Sequence, residues 1–236
     1  SASYKITYDH CTAYNSAHDG FDLDGTDLTL IGCVAYKCGM SGTPPMRGFE
    51  FWNKNVTVYN CVAHNNGGGG IQPNASTKVY NCTLYNNAHT KQSAALRGSP
   101  TAIIRNCIIV NNYTPYEPSG SGVFDSDYNI FYNNIGPVTQ YGGVADMEYW
   151  KKKGSDAHSV SGEPLFVDPD NADLSKVDFR LKAGSPAIDF GIQDADTPAT
   201  DLDGKARSDN SVANANGSIV DAGAYEFGGG VVVPGQ

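Results

Sequence analysis

Four residues, each in a similar short phrase, carry the most chemistry in this sequence: Asp22, Glu50, Gln72 and Arg97. The phrases are GFDLD at 20–24, GFEFW at 48–52, GIQPN at 70–74 and ALRGS at 95–99. Alternate side chains of an extended chain point to opposite faces. Phe21, Phe49, Ile71 and Leu96, with Leu23 and Phe51, are therefore expected to face a core. Asp22, Glu50, Gln72 and Arg97 then face outward, and the next outward position reads Asp24, Trp52, Asn74 and Ser99. Read singly, each is what a solvated sheet surface carries. As a set, an acidic pair, an amide and a guanidinium beside an indole suit an extended sugar polymer. The Trp52 ring would stack on a sugar, and Arg97 would pair with a carboxylate. Stacked carboxylates also suit a shared Ca2+, which prefers oxygen ligands. On neighbouring strands Asp22 and Glu50 would lie roughly 5 Å apart, a spacing that also fits a retaining glycosidase.

The elements that must position this column show in the cysteines. Cys11, Cys33, Cys61, Cys82 and Cys107 fall at intervals of 22, 28, 21 and 25 residues. Each sits in a similar phrase (HCTAYN, GCVAYK, NCVAHN, NCTLYN, NCIIVN), and YNIFYN at 128–133 repeats it with Asn129 in the cysteine's place. A period between about 20 and 30 residues marks a solenoid. Upstream of each cysteine runs a strand pattern, ITYDH, LTLIG, VTVYN, KVYN or AIIRN, with no helical face. Downstream come an aromatic and then a residue suited to a bend: Tyr14-Asn15, Tyr36-Lys37, Tyr85-Asn86 and Tyr132-Asn133. Asn tolerates the left-handed backbone that a sharp strand-to-strand bend requires. The expected fold is all-β, a parallel β-helix solenoid of about six coils stacked at about 4.8 Å. Cysteines in register at that spacing are too far apart for a disulfide, whose Cβ atoms lie about 3.8 Å apart. They are read as an interior column of free thiols. The inward parity beyond the residue before each cysteine stays open, as does a disulfide from Cys38.

Composition excludes several classes. The 236 residues hold 14 Tyr and 9 Phe, which argues against disorder. No apolar run approaches the ~18 residues of a membrane span. Sixteen basic against 25 acidic residues give a net charge of −9, against a non-specific nucleic-acid binder. The coils are assigned to residues 1–136, a C-terminal cap region packed on them to 137–228, and a linker-like tail to 229–236. The cap would cover strand edges at the open end of the solenoid. Its one expected helix is ADMEYWKKKG at 145–154, with lysines in the last turn. Asp194, Asp196, Asp201 and Asp203 invite a calcium reading, and turn chemistry explains D-L-D-G equally well.

The stretch AHDGFDLDG followed by RGFEFW resembles the calcium-dependent, pectate-lyase-like right-handed β-helix proteins of polysaccharide lyase family 9, over residues 1–135. Its most specific piece is DGFD at 19–22. The resemblance implies Asp19 and Asp22 as Ca2+ ligands, with His18 where the family loop has its first aspartate. It places Glu50 where the family has a lysine base, and Arg47, three residues earlier, is a second candidate for that catalytic role. Trp52, Gln72 and Arg97 would bind substrate. The implied activity is β-elimination of a pectate-like uronate polymer, in which a divalent cation neutralises the carboxylate and stabilises an enolate-like transition state. A protein at −9 would repel such a polyanion unless a cation bridged them. From about 163 to 227, EPLFVDP, DFRLKAGSPAIDFG, TDLDGKAR and VDAGAYEF resemble the choice-of-anchor Q region of secreted bacterial β-helix proteins, which implies an extracellular or cell-surface setting. With Ser1 falling inside a coil, the chain reads as a mature or excised piece. The reading from a different class is a non-catalytic surface β-helix serving as glycan binder, adhesin or structure.

Overall fold

The computed structural model describes residues 5–41, 46–88, 93–136, 146–207 and 219–228. The tail at 229–236 and Ala145, the first residue of the expected helix, lie outside them. The chain winds into an all-β, right-handed parallel solenoid of three sheets. The first sheet contains Ile6–Asp9, Leu28–Ile31, Thr57–Tyr59, Lys78–Tyr80, Ile103–Arg105 and Asp125–Asp127. The second contains Thr12–Tyr14, Val34–Tyr36, Val62–His64, Thr83–Tyr85, Ile108–Val110 and Ile130–Tyr132, with Val160–Ser161 added at its end. The third contains Phe21–Leu23, Arg47–Phe51, Gly69–Gln72, Leu96–Gly98 and Tyr116–Pro118. Five turns are complete, and the sixth has strands in the first two sheets.

Two corners of each coil are set by left-handed residues. Between the first and second sheets stand His10, Gly32, Asn60, Asn81, Asn106 and Tyr128, with φ from 49° to 60°. After the second sheet stand Asn15, Lys37, Asn65, Asn86, Asn111 and Asn133, with φ from 48° to 59°. The first corner answers the question of parity, because it turns the following cysteine inward. Cys33, Cys61, Cys82 and Cys107 are buried, Cys11 is half-buried, and all six thiols, Cys38 included, are free. Each thiol finds a carbonyl at its own bend, as Cys82 does at Tyr80 (3.3 Å) and Cys107 at Arg105 (3.2 Å).

The interior columns compensate for one another. Along the second sheet the inward position reads Ala13, Ala35, Ala63, Leu84, Ile109 and Phe131. Opposite, the third sheet supplies Phe21, Phe49, Ile71, Leu96 and Tyr116. Where one wall is alanine the other is Phe21, Phe49 or Ile71, and the Phe21 and Phe49 rings stack at 4.9 Å. Large facing small keeps the narrow interior filled without voids.

The second corner also carries a buried amide ladder. Asn66 Nδ2 donates to Asn87 Oδ1 (2.9 Å), Asn87 to Asn112 (3.2 Å) and Asn112 to Asn134 (3.1 Å). Each amide also reaches a backbone carbonyl: Ala35, Ala63, Leu84 and Ile109 respectively. Cys38 occupies the rung below Asn66, its backbone N–H donating to Asn66 Oδ1 (2.9 Å).

Residues 146–162 close the last coil. The helix is short, Met147–Lys152, capped by Asp146 accepting from the Glu148 amide, and it buries Trp150 against Tyr116. Asn129 takes the cysteine's rung and accepts from the Cys107 amide (2.7 Å). Beside it, buried Asp156 accepts from Ser126, Asn129, Ser155 and Ser159, so the end of the thiol column is a fully hydrogen-bonded polar plug. Residues 163–207 and 219–227 instead lie along the outer face of the second sheet. There Phe166, Phe179, Leu181, Ala222 and Ala224 pack on Val62, Tyr85, Ile108, Val110 and Ile130. The corner asparagines fasten this segment, with Asn60 donating to Thr200 O, Asn81 to Asp221 O and Asn106 to Ile192 O. Arg207, fully buried, joins Asn60, Glu226 and the Gly223 carbonyl.

Candidate functional site

On the third sheet the register is direct: Asp22 opposes Glu50, Glu50 opposes Gln72, and Ile71 opposes Leu96. The column of Asp22, Glu50, Gln72 and Arg97 expected from the phrases is therefore real. One rung further Arg97 opposes Glu117, a residue the phrases did not reveal. Its signal was present, because Tyr116-Glu117 repeats the apolar-polar order of Leu96-Arg97, but without the flanking glycine. Gln72 Nε2 donates to Glu50 Oε1 (2.5 Å), and Arg97 Nε pairs with Glu117 Oε1 (2.8 Å). Beside this column Trp52 stands 57% exposed, its indole N–H donating to Asp22 Oδ1 (2.6 Å) and its carbonyl accepting from Asn74 (2.6 Å).

Asp19 and Arg47 lie at the start of the third-sheet strands. The Arg47 amide donates to Asp19 Oδ1 (2.5 Å); its Nη1 donates to Glu50 Oε2 (3.3 Å) and lies 3.9 Å from Asp19. This crowding needs the glycines of D-G-F and R-G-F. A Cβ at Gly20 would meet the Gly48 carbonyl at 2.7 Å, and one at Gly48 would meet Asn66 Nδ2 and the Gly70 carbonyl, each at 2.9 Å. Glu50 is only 5% exposed, and burial, resisted by Arg47, raises its carboxyl to about 7.

These residues border a groove of about 510 Å³ that crosses the coils from the strand of Arg47 to Ser119. Among the described residues, Arg47, Trp52, Gln72, Asn74, Arg97 and Ser99 line it, and no carboxylate does. Glu50 and Glu117 are buried, each contacting an arginine that lines the groove.

A family model described as a right-handed beta helix region matches residues 1–146. This chain belongs to that right-handed β-helix family. No curated protein matches it. Among solved structures it is similar to the crystal structure of pectate lyase Pel9A, with a TM-score of 0.51 and 15% identity. The match covers 93% of this chain and 65% of that one, a likeness that establishes the fold.

The residues of this β-helix do not, as arranged, fit a calcium ion at the expected place. One Asp19 oxygen is committed to the Arg47 amide and one Asp22 oxygen to the Trp52 indole. Among the described residues no three carboxylates, imidazoles or thiols gather where they could hold a metal. The C-terminal aspartates serve the backbone and cations of the chain. Asp194 accepts from the Asp196 amide, Asp196 pairs with Lys78 (2.6 Å), Asp201 accepts from Lys205 and Glu226 amides, and Asp203 faces Arg180 (3.9 Å).

Proposed function

We propose that the third-sheet groove binds an extended acidic polysaccharide and that the chain cleaves it as a polysaccharide lyase, outside the cell or at its surface. The lining carries this reading: on a chain of net charge −9, the groove presents Arg47, Arg97 and Trp52 and, among the described residues, no carboxylate. Guanidinium forks match uronate carboxylates, and the exposed indole offers a face to a sugar ring. In β-elimination a base removes the proton on the carbon α to the uronate carboxylate. The electron pair forms a carbon–carbon double bond, the bond to the glycosidic oxygen breaks, and that oxygen leaves with a proton. Glu50, raised to about 7, has the basicity of a group exchanging protons near neutral pH. The fold it shares with a pectate lyase supports the same class.

One observation favours a non-catalytic glycan binder instead. Both Glu50 oxygens are engaged, by Gln72 and Arg47, so substrate must displace one of them before the base is reached. Incubation with polygalacturonate, followed by ultraviolet absorbance of the unsaturated product, separates the two. An absorbance rise that Glu50→Gln abolishes supports the lyase. Binding of the polymer without any rise leaves the glycan binder, and neither binding nor rise sinks both for this polymer.

A further inference from the structure

We infer that Arg47 itself supplies the positive charge at this site, so that acidic polysaccharide is bound without a divalent cation. This rests on the reading of the groove as an acidic-polysaccharide site and adds what neutralises the ligand there. One oxygen of each carboxylate that would hold a cation is already in use, Asp19 Oδ1 by the Arg47 amide and Asp22 Oδ1 by the Trp52 indole, and among the described residues no third ligand gathers with them. Arg47 is fixed at both ends, its backbone on Asp19 and its Nη1 on Glu50, and its side chain is 13% exposed. Its Nε is buried and has no hydrogen-bond partner among the described residues, so the guanidinium is not saturated by the protein. Arg47 lines the groove, where an incoming carboxylate forms charge-assisted hydrogen bonds with the part of the guanidinium it reaches.

Arg97 repeats the device two coils on, with buried Glu117 on its Nε. Glu50 and Glu117 lie beneath and the guanidinium groups above, so the floor of the groove is cationic although the chain is not, with exposed Asp22 at its edge on the Trp52 indole. A calcium ion entering the groove would face two guanidinium charges, and among the described residues no carboxylate lines it. The repulsion expected between a −9 protein and a polyanion is relieved by this layering, without a bridging ion.

The test is calorimetric titration of the whole chain with short oligogalacturonates, once in calcium and once in EDTA, and with calcium alone. The expected result is affinity equal within about twofold in the two buffers, and no heat from calcium alone. Arg47→Gln should weaken binding at least tenfold in both buffers, with Arg47→Lys in between because it keeps the charge and loses the fork. Binding that requires calcium, is mirrored by calcium binding to the protein alone, and is lost in Asp22→Asn would overturn the inference and leave the groove reading intact. Unchanged affinity in a folded Arg47→Gln chain also overturns it. No binding in either buffer sinks the groove reading itself. The wild-type comparison needs no variant, so a misfolded one does not blunt the test.

Discussion

The second and third sheets come from the same coils, with the same rise and equally apolar inner faces, yet their outer faces have opposite fates. Outward residues of the second sheet are mostly aliphatic and aromatic (Val34, Val62, Ile108 and Ile130 in one column, with Thr12 and Thr83; Tyr14, Tyr36, His64 and Tyr85 in the next). The C-terminal segment covers the middle of that face. Outward residues of the third sheet are charged or amide, and a groove stays open over them. Inner columns thus specify the solenoid, and outer columns decide whether a face is structural or available to a ligand. Mutations should separate the two: large stability losses with intact binding on one face, and the reverse on the other.

The largest stability effect is expected at Arg207. It is enclosed by Asn60, Glu226 and the Gly223 carbonyl, and its removal leaves Glu226 a buried carboxylate without its guanidinium. Breaking a buried pair from one side costs about 3–5 kcal/mol. Arg207→Ala should therefore lower the melting temperature by on the order of 10 °C. Oligogalacturonate affinity, measured on the protein still folded at low temperature, should not change. If affinity falls with stability, the two faces are coupled and the separation is wrong.

Next in size is a pH effect at the covered face. His64 stacks on Tyr36 (5.0 Å), meets Phe179 edge-on, and is held by burial at a pKa of about 4, below the ordinary 6.5. As pH falls through 6.5 the unfolded chain takes up this proton, and the folded one does not until about 4. The stability His64 contributes is thus complete above about 6.5 and is lost progressively down to about 4, by at most about 3 kcal/mol. Asp221, raised to about 6 by burial, has the opposite sign: its contribution is complete below 3.8 and lost as pH rises through 6. Asp221, like Glu50, therefore opposes His64 in the wild type over this range. In His64→Phe the opposing His64 slope is gone while the carboxyl slopes stay, so the variant should gain stability relative to wild type on acidification from pH 6.5 to 4. Parallel melting curves across that range would show that His64 is not held neutral.

The same contrast explains what was legible in the sequence. The third-sheet column could be read because Gly-Phe and Gly-Ile phrases fix the register, and register alone sets which residues stack. Glu117 escaped because its phrase, PYEPS at 115–119, has no glycine on either side, whereas ALRGS keeps one after Arg97. The asparagine doublets at 65–66, 86–87, 111–112 and 133–134 were visible, but only Asn86 and Asn133 were assigned a task, the left-handed bend, and no second member was. The second member carries the interior ladder, since a residue after a sharp corner changes face in a way that alternation does not foretell. Cover of the second sheet was hidden for a different reason. Asn60 meets Thr200, and Asn81 meets Asp221, across 140 residues with no period linking them. The expected calcium ligands show the limit of residue type as a guide. Asp19 and Asp22 have the right atoms, and one oxygen of each is engaged by a neighbouring N–H group that composition does not display.

The smallest stability effect and the cleanest functional one are expected at Trp52. More than half of its surface is in water, and its removal uncovers no cavity in the core. Its one side-chain hydrogen bond goes to exposed Asp22, which water can replace. Trp52→Ala should thus change unfolding free energy by less than about 1 kcal/mol, within the usual range for surface substitutions. The indole face lost from the groove should weaken oligogalacturonate binding by about tenfold, the scale of one aromatic contact. Trp52→Phe tests whether the ring itself or the indole N–H matters. It keeps a stacking face and drops the bond to Asp22, so it should recover most of the affinity. Full loss in Trp52→Phe would instead assign Trp52 to holding Asp22, and would move the sugar-binding surface away from this end of the groove.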